Sequence, residues 1–177
     1  MNLILLPGNS KSDKVWVDRV DGAFQGIFPH TAVLYYDHWW NGDEESEIDL
    51  DAELLKLTAT VQEFDKYVIF AKSAGVLLTL YGIFEGVLDP EVCIFVGTPV
   101  LWGKERGYDI DNWLTNYHVP TLFIQQESDP AMSAKDLDEL LISKNVIDYR
   151  LHEIPGNDHK YDDVEKLKEL SLEFYEL

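Results

Sequence analysis

Residues 67–75 read YVIFAKSAG, and this short stretch sets the architecture that we expect for the whole chain. Tyr67–Ala71 is an apolar run, which is typical of a strand that is buried on both faces of a sheet. A helical pattern over Ala74–Glu85 follows at once. Ser73 lies at the change from strand to helix, with small residues two positions before it and two positions after it. The stretch therefore predicts a sharp turn that presents the Ser73 hydroxyl group.

Further apolar runs predict strands on either side of this one. The complete set of predicted strands is Asn2–Leu6, Thr31–Tyr36, Tyr67–Ala71, Val92–Gly97, Pro120–Gln126 and Ile147–Ile154. Amphipathic segments predict helices over Lys14–Phe24, Leu50–Phe64, Ala74–Glu85, Ile110–Tyr117, Ala134–Ile142 and Tyr161–Tyr175, and Ser133 is expected to cap the fifth of them. Because alternating strands and helices form right-handed βαβ units, we expect an α/β fold, a three-layer α/β/α sandwich around a mostly parallel six-stranded sheet.

The length and the charge of the chain limit its organisation and its partners. With 177 residues, it is expected to form a single domain over residues 1–177. Its 33 acidic and 14 basic residues give a formal net charge of −19. Nucleic acids and anionic membrane surfaces repel such a chain, so neither is expected as a partner. We expect a small-molecule substrate, and the sequence leaves the oligomeric state open.

Other features of the composition favour a cytoplasmic protein without a metal. Cys93 is the one cysteine, so no internal disulfide bond can form. No apolar stretch approaches the roughly 20 residues that cross a bilayer, and the first residues lack the basic start of a secretory signal. No spacing of cysteine and histidine predicts a zinc site, and the acidic segment 43–51 is interpreted as a solvated loop rather than a calcium site.

Side chains that suit acyl transfer follow three of the predicted strands. Parallel α/β sheets bind ligands beyond the carboxyl ends of their strands. Ser73 follows the third strand, Asp129 the fifth and His159 the sixth. A serine hydroxyl needs an imidazole to take its proton, and the imidazole needs a carboxylate to hold its tautomer. We therefore predict Ser73 as the nucleophile, His159 as the general base and Asp129 as the carboxylate that orients His159.

The turn after the first strand is expected to complete this site. Residues 7–10 read PGNS, and the glycine allows the backbone to approach a ligand closely. We predict that the backbone N–H groups of Asn9 and Ala74 bind the oxyanion that forms during the reaction. The alternative is an ordinary tight turn. A phosphate-binding loop is disfavoured because the spacing G-x-x-x-x-G-K-[ST] is absent.

With these residues assembled, the sequence resembles the α/β-hydrolase superfamily over essentially its whole length. The chain order of the three triad residues is the order of that superfamily, and residues 71–75 resemble its G-x-S-x-G elbow, with Ala71 in the place of the first glycine. In size, triad spacing and its Pro7-Gly8-Asn9 loop, the sequence is similar to the compact serine hydrolases of the retinoblastoma-binding serine hydrolase type. The resemblance implies a minimal α/β-hydrolase core without a cap domain, because residues 98–119 leave too little room for one.

Several other residues follow predicted strands and so are candidates for the site. Trp39, Trp40 and Trp102 are predicted to line a substrate pocket, and the alternative is that they cover the edge of the core. His38 is the second candidate for the general base. Lys72 either draws anionic substrates and stabilises developing charge, or points into solvent, or pairs with one of the many nearby acids.

The candidate site and the resemblance together predict a serine hydrolase that cleaves small acyl compounds, esters or thioesters, through an acyl-enzyme without a cofactor. Two other interpretations stay open: a non-catalytic binding or regulatory protein on a hydrolase scaffold, and an acyltransferase or peptidase with the same triad. Because segments 37–53 and 127–177 are acidic and include loops near the predicted site, we also expect poor turnover of anionic substrates.

Overall fold

A six-stranded sheet forms the centre of the computed structural model, which describes residues 1–43 and 46–175. Its strands are β1 Asn2–Leu6, β2 Thr31–Val33, β3 Tyr67–Lys72, β4 Val92–Val96, β5 Thr121–Gln126 and β6 Tyr149–Ile154. They lie in the order β2-β1-β3-β4-β5-β6, and every neighbouring pair is parallel. The sheet is thus parallel throughout rather than mostly parallel. Glu44 and Glu45, which belong to the acidic segment, lie outside the described residues.

Helices cover both faces of this sheet. In the described part of the chain they are α1 Asp13–Phe24, α2 Leu50–Val61, α3 Ala74–Phe84, α4 Val100–Glu105, α5 Ile110–Trp113, α6 Ala134–Ser143 and α7 Val164–Tyr175, with a 3-10 helix over Asp37–Trp40. Helices α1 and α7 pack on one face, and α2 to α6 contribute to the core on the other face. The expected three-layer α/β/α sandwich is confirmed.

Strand β1 shows why the predicted strands are almost continuously apolar. Leu3 and Leu5 pack in the layer that contains α1 and α7, whereas Ile4 and Leu6 pack in the layer on the opposite face. All four side chains are fully buried. Because successive side chains of a strand point to opposite faces, a strand with helices on both sides needs apolar residues at every position.

The order of the strands reverses between β1 and β3. The chain leaves β1 through α1 to β2 at one edge, and it then returns to β3 on the other side of β1. Loops that follow two such strands diverge, so a crevice opens at their carboxyl ends. The loop that contains Asn9 follows β1, and the turn that contains Ser73 follows β3. This reversal therefore places the two predicted parts of the site side by side.

Strand β2 ends at Val33 rather than at the predicted Tyr36. The Leu34 N–H still donates to the carbonyl oxygen of Leu5 at 3.0 Å, and pairing then stops. Tyr36 is fully buried, and its hydroxyl donates to the Pro7 carbonyl oxygen at 2.8 Å. Because β2 is an edge strand with β1 as its one neighbour, it ends where β1 ends, and the chain turns into the 3-10 helix.

Two predicted helices are shortened by residues with left-handed backbone conformations. Helix α7 begins at Val164 rather than at Tyr161, because Tyr161 has a φ of 58°. Helix α5 ends at Trp113 rather than at Tyr117, and Asn116 shortly after it has a φ of 61°. A left-handed residue cannot continue a right-handed helix, and sequence periodicity does not reveal it.

Segment 98–119 contains two short helices, α4 and α5, and no cap domain. Helix α4 was not predicted, because its six residues are too few to show a period. The predicted N-cap of α6 is confirmed: the Ser133 hydroxyl accepts from the Asp136 N–H at 3.1 Å. The expected compact core without a cap is therefore the observed one.

The start of α3 touches the end of β1, and this contact requires a glycine. A Cβ atom at Gly75 would lie 2.7 Å from the Leu6 carbonyl oxygen and 2.9 Å from the Pro7 carbonyl oxygen. The Gly75 N–H donates to that same Pro7 oxygen at 3.1 Å. The turn after β3 and the loop after β1 are thus held together by backbone atoms.

We expect Gly75→Ala to lower the free energy of unfolding by about 1–3 kcal/mol, because backbone atoms must shift to admit the methyl group. Gly22→Ala in α1 is the matched control: no atom lies within 4 Å of its Cβ position, so it is expected to stabilise the protein by about 0.5–1 kcal/mol. Urea denaturation measures both. A Gly75→Ala protein as stable as the wild type would contradict the close contact.

Candidate active site

The turn after β3 holds Ser73 in an unusual conformation. Its φ of 50° and ψ of −116° are rare for a residue other than glycine. The Ser73 N–H donates to the Val96 carbonyl oxygen at 3.0 Å, and the Ser73 carbonyl oxygen accepts from the Val76 N–H at 2.8 Å. Hydrogen bonds on both sides fix the turn, and Ser73 remains partly exposed.

The structure brings Ser73, Asp129 and His159 together at the carboxyl ends of the strands. His159 Nε2 lies 2.9 Å from the Ser73 hydroxyl oxygen. His159 Nδ1 lies 2.7 Å and 2.9 Å from the two carboxylate oxygens of Asp129. An ionised carboxylate only accepts hydrogen bonds, so Nδ1 carries the proton and Nε2 is left to accept from the serine.

Asp129 is buried as a charged group and is stabilised by its donors. Its side chain has 0% of its surface exposed, compared with 23% for His159. Burial raises the pKa of Asp129, but hydrogen bonds from His159 and Tyr161 outweigh that effect and hold the pKa below its usual value. The Ala131 N–H donates to the same carboxylate at 2.8 Å. Asp129 therefore stays ionised beside the imidazole.

Backbone contacts place His159 opposite the serine. The side-chain oxygen of Gln126 accepts from the N–H groups of Asp158 and His159, each at 3.0 Å. His159 itself is left-handed, with a φ of 60°. Gly97 at the end of β4 leaves the space: a Cβ atom there would lie 3.0 Å from His159 Cε1 and 2.6 Å from Tyr161 Cε2. No sequence motif marks Gln126 or Gly97, so neither was predicted.

Tyr161 is a further residue of the site that sequence analysis missed. Its hydroxyl donates to Asp129 at 2.6 Å, whereas the sequence pattern placed it in the first turn of the last helix. The one available signal was its position two residues after His159.

The two predicted oxyanion donors have free N–H groups. Within residues 1–43 and 46–175, neither the Asn9 N–H nor the Ala74 N–H donates a hydrogen bond. The rest of Asn9 is held on three sides, since its carbonyl oxygen accepts from His38 Nε2 and Trp39 Nε1, each at 2.8 Å, and its side-chain oxygen accepts from the Ile48 N–H at 2.8 Å. A fixed loop with an unused donor next to Ser73 suits the binding of an oxyanion.

The same arrangement of sheet and helices occurs in solved structures. The chain aligns over 99% of its length with an esterase of Pyrococcus furiosus, with a TM-score of 0.77 and 16% identity, and covers 82% of that protein. It aligns over 99% of its length with an α/β-hydrolase enzyme from a Medee basin deep-sea metagenome library, with a TM-score of 0.72 and 14% identity, and covers 89% of that chain. The chain has the α/β-hydrolase fold.

A third solved structure is also similar over almost the whole chain. An uncharacterized protein of Bacillus cereus matches 99% of this chain with a TM-score of 0.72 and 16% identity, and this chain spans 60% of that protein's length. No protein-family model matches the sequence, and no curated protein matches it. At these identities the comparisons establish the α/β-hydrolase fold.

His38 and Trp39 contact the loop after β1, and in the described residues neither ring has a hydrogen bond to Ser73. Both rings bond the Asn9 carbonyl oxygen, and Trp39 has only 3% of its surface exposed. Both also line a cavity with Asn9, Ser10 and Lys11. The imidazole hydrogen-bonded to Ser73 belongs to His159.

Trp40 and Trp102 have their aromatic contacts with cationic side chains. Trp40 is 58% exposed, and the Lys11 ammonium lies 5.2 Å from the centre of its ring. Trp102 packs at the edge of the core, and the Arg106 guanidinium lies 3.8 Å from the centre of its ring. In the described residues neither indole has a hydrogen bond or a ring contact with a triad residue, so the alternative interpretation, that they cover the core edge, fits Trp102.

Lys72 is buried and paired with a carboxylate. Its ammonium lies 2.6 Å from an Asp13 carboxylate oxygen and 5.0 Å from the centre of the Trp16 ring. The other Asp13 oxygen accepts from the Ser10 N–H at 3.2 Å. The pair therefore ties β3 to α1 and to the loop after β1, and of the three interpretations of Lys72 the ion pair is the one observed.

The cavity beside His159 carries balanced charge. Its lining contains the acids Asp13, Asp158 and Asp162 and the bases Arg19, Lys72 and Lys160. Acidic and basic residues are thus balanced in this lining, and the expected poor turnover of anionic substrates stays a prediction.

The described residues also bear on membrane crossing, metal binding and the reactivity of the cysteine. No helix there is long and apolar enough to cross a membrane. No group of three or more His, Cys, Asp or Glu side chains within residues 1–43 and 46–175 is placed to hold a metal ion. Cys93 lies inside β4, where burial raises the pKa of its thiol to about 12 and makes it a poor nucleophile.

We expect Lys72→Met to lower the free energy of unfolding by about 3–5 kcal/mol, because it leaves Asp13 charged and buried without its partner. Adding Asp13→Asn should recover most of that loss, since the carboxamide keeps the shape and the bond from Ser10. Lys14→Met removes an exposed pair with Asp18 and should change stability by about 0.5 kcal/mol or less. Urea denaturation checks all three; equal effects of Lys72→Met and Lys14→Met would contradict the structural role.

Proposed function

We propose that this protein is a serine hydrolase that cleaves small acyl substrates, esters or thioesters, through an acyl-enzyme. The observation that carries the proposal is the unbroken line of hydrogen bonds from the Ser73 hydroxyl through His159 to the buried Asp129 carboxylate. A serine that only capped a helix would need neither an imidazole at hydrogen-bond distance nor a strained turn.

The first half of the reaction forms the acyl-enzyme. Ser73 Oγ attacks the carbonyl carbon of the substrate while its proton passes to His159 Nε2. The carbonyl oxygen becomes an oxyanion, and the free N–H groups of Asn9 and Ala74 donate to it. The carbon–leaving-group bond then breaks, and the imidazolium returns its proton to the leaving alcohol or thiol.

The second half repeats these steps with water. His159 takes a proton from water, the resulting hydroxide attacks the acyl carbon, and the same two N–H groups hold the second oxyanion. Collapse releases the carboxylic acid and returns the proton to Ser73 Oγ. Asp129 stays ionised throughout and stabilises the imidazolium, which suits its lowered pKa; burial opposes that lowering and the hydrogen bonds from His159 and Tyr161 produce it. All the acting groups come from this chain, so the proposed reaction uses no cofactor.

Small esters or thioesters are the proposed substrates because of what surrounds the serine. The segment between β4 and β5 forms only α4 and α5, so no cap encloses a long acyl chain. Ser73 is partly exposed at the carboxyl end of β3. The esterase of Pyrococcus furiosus has the same fold, which supports ester chemistry before amide chemistry.

A fluorophosphonate probe is expected to label the wild-type protein and not Ser73→Ala, because only an activated serine attacks the phosphorus. Ser128→Ala, which changes an exposed serine one residue before Asp129, should be labelled like the wild type. Labelled protein is quantified by gel fluorescence. Folded wild type without label favours the binding-protein interpretation, and label that persists in Ser73→Ala refutes the assignment of the nucleophile.

Replacing the two candidate histidines, His159 and His38, identifies the general base. We expect His159→Ala to reduce kcat/KM for a chromogenic short-chain ester by about 10³-fold or more. His38→Ala removes one of two donors to the Asn9 carbonyl oxygen, so we expect a smaller loss, about tenfold or less. Circular dichroism confirms that both variants fold. A loss confined to His38→Ala would make His38 the base.

A further inference from the structure

Tyr161 is placed to act on the triad through Asp129. Its hydroxyl oxygen lies 2.6 Å from Asp129 Oδ2 and 2.8 Å from the backbone nitrogen of Gln126. The Gln126 N–H can only donate, so the hydroxyl oxygen is its acceptor. The single hydroxyl proton is therefore directed at the carboxylate, and the direction of this hydrogen bond follows from the geometry.

The position of Tyr161 is set from several sides at some conformational cost. Its φ of 58° is unfavourable for a non-glycine residue. Its carbonyl oxygen accepts from Trp16 Nε1 at 2.8 Å, and its ring lies where a Cβ atom at Gly97 would clash. A ring that served only to fill the core would need neither a strained backbone nor a hydroxyl partner.

The donors on Asp129 leave its carboxylate a single orientation. Oδ2 accepts from Tyr161 and His159, and Oδ1 accepts from Ala131 and His159. If the carboxylate turned away from the imidazole, it would lose several of these bonds together, inside a site with no exposed surface on the Asp129 side chain.

On the basis of the proposed hydrolase function, we propose that Tyr161 is a positioning residue that holds Asp129 ionised and facing His159. It does not touch the substrate or the reacting atoms. Its hydroxyl group acts on the imidazole through Asp129. A phenylalanine has the same ring without the hydroxyl group and cannot act in this way.

The proposal has a defined consequence for pH dependence. The titratable groups that face the Asp129–Tyr161 pair are His159 and Asp158, and the Asp158 carboxylate is held by Gln126 Nε2 at 3.0 Å. Burial and the hydrogen bond to Asp129 both raise the pKa of Tyr161, so its hydroxyl group keeps its proton over the pH range of the activity profile. The hydroxyl stabilises Asp129 most when the imidazole is neutral. Its removal therefore favours the protonated Asp129–His159 pair, and the acidic limb of the kcat/KM profile moves to higher pH.

The test is Tyr161→Phe with Tyr117→Phe as its matched control. Tyr117 is equally buried, and its hydroxyl bonds Thr121 in the core, away from the triad. We expect Tyr161→Phe to lower kcat by about tenfold or more, to leave KM nearly unchanged and to shift the acidic limb to higher pH. Tyr117→Phe should change none of these. A Tyr161→Phe protein with the kcat and pH profile of the wild type would overturn the proposal.

An Asp129→Asn background separates a positioning role from a structural one. If Tyr161 acts through the carboxylate, Tyr161→Phe should cost much less in Asp129→Asn than in the wild type. An equal loss in both backgrounds, measured as the rate of acylation by an activated ester, would overturn the positioning role. Circular dichroism confirms that each variant folds.

A readout without catalysis distinguishes failure of this proposal from failure of the hydrolase function. The Nδ1–H proton of His159, observed by NMR in ¹⁵N-histidine-labelled protein, should shift in Tyr161→Phe and not in Tyr117→Phe, whether or not the protein hydrolyses esters. An unchanged signal in Tyr161→Phe overturns the role of Tyr161. A wild type that is folded but neither labelled by fluorophosphonate nor active refutes the hydrolase function and, with it, the catalytic part of the proposal.

Discussion

The close contact between the end of β1 and the start of α3 is the constraint on which the site depends. Gly75 lets the backbone of α3 lie against the carbonyl oxygens of Leu6 and Pro7. Without that approach, the turn that carries Ser73 and the loop that carries Asn9 would separate. The reversal of strand order makes this contact possible, because it places β1 and β3 next to each other. The loops that follow these two strands are therefore neighbours.

Much of this architecture follows from local patterns in the sequence. Apolar runs predicted all six strands: β1, β3, β4 and β5 are buried between the helix layers, whereas the edge strands β2 and β6 are partly exposed. The positions of Ser73, Asp129 and His159 after three of these strands predicted that their side chains would meet. The structure brings these three side chains within hydrogen-bond distance. Their catalytic roles stay a prediction, whereas their proximity is a consequence of parallel strands that end at one edge.

What local patterns did not reveal depends on long-range contacts or on single backbone angles. Lys72 forms an ion pair with Asp13, which lies 59 positions earlier in the sequence. No spacing rule predicts which of the many acidic residues pairs with Lys72. Tyr161 reads as helical by periodicity, but the bonds to Asp129 and Gln126 hold it in a left-handed conformation. Trp39 follows a strand end and is predicted to line a substrate pocket, and no local pattern reveals that its indole N–H donates to the Asn9 carbonyl oxygen.

The way in which Gln126 holds the His159 loop bears on how this scaffold changes over evolution or in the laboratory. Its amide oxygen binds main-chain N–H groups, which every residue except proline provides. Pro155, Asn157 and Lys160 in this loop are exposed. Their side chains are therefore free to vary while the imidazole keeps its place, so the surface beside His159 can be altered by mutating the loop without moving the imidazole.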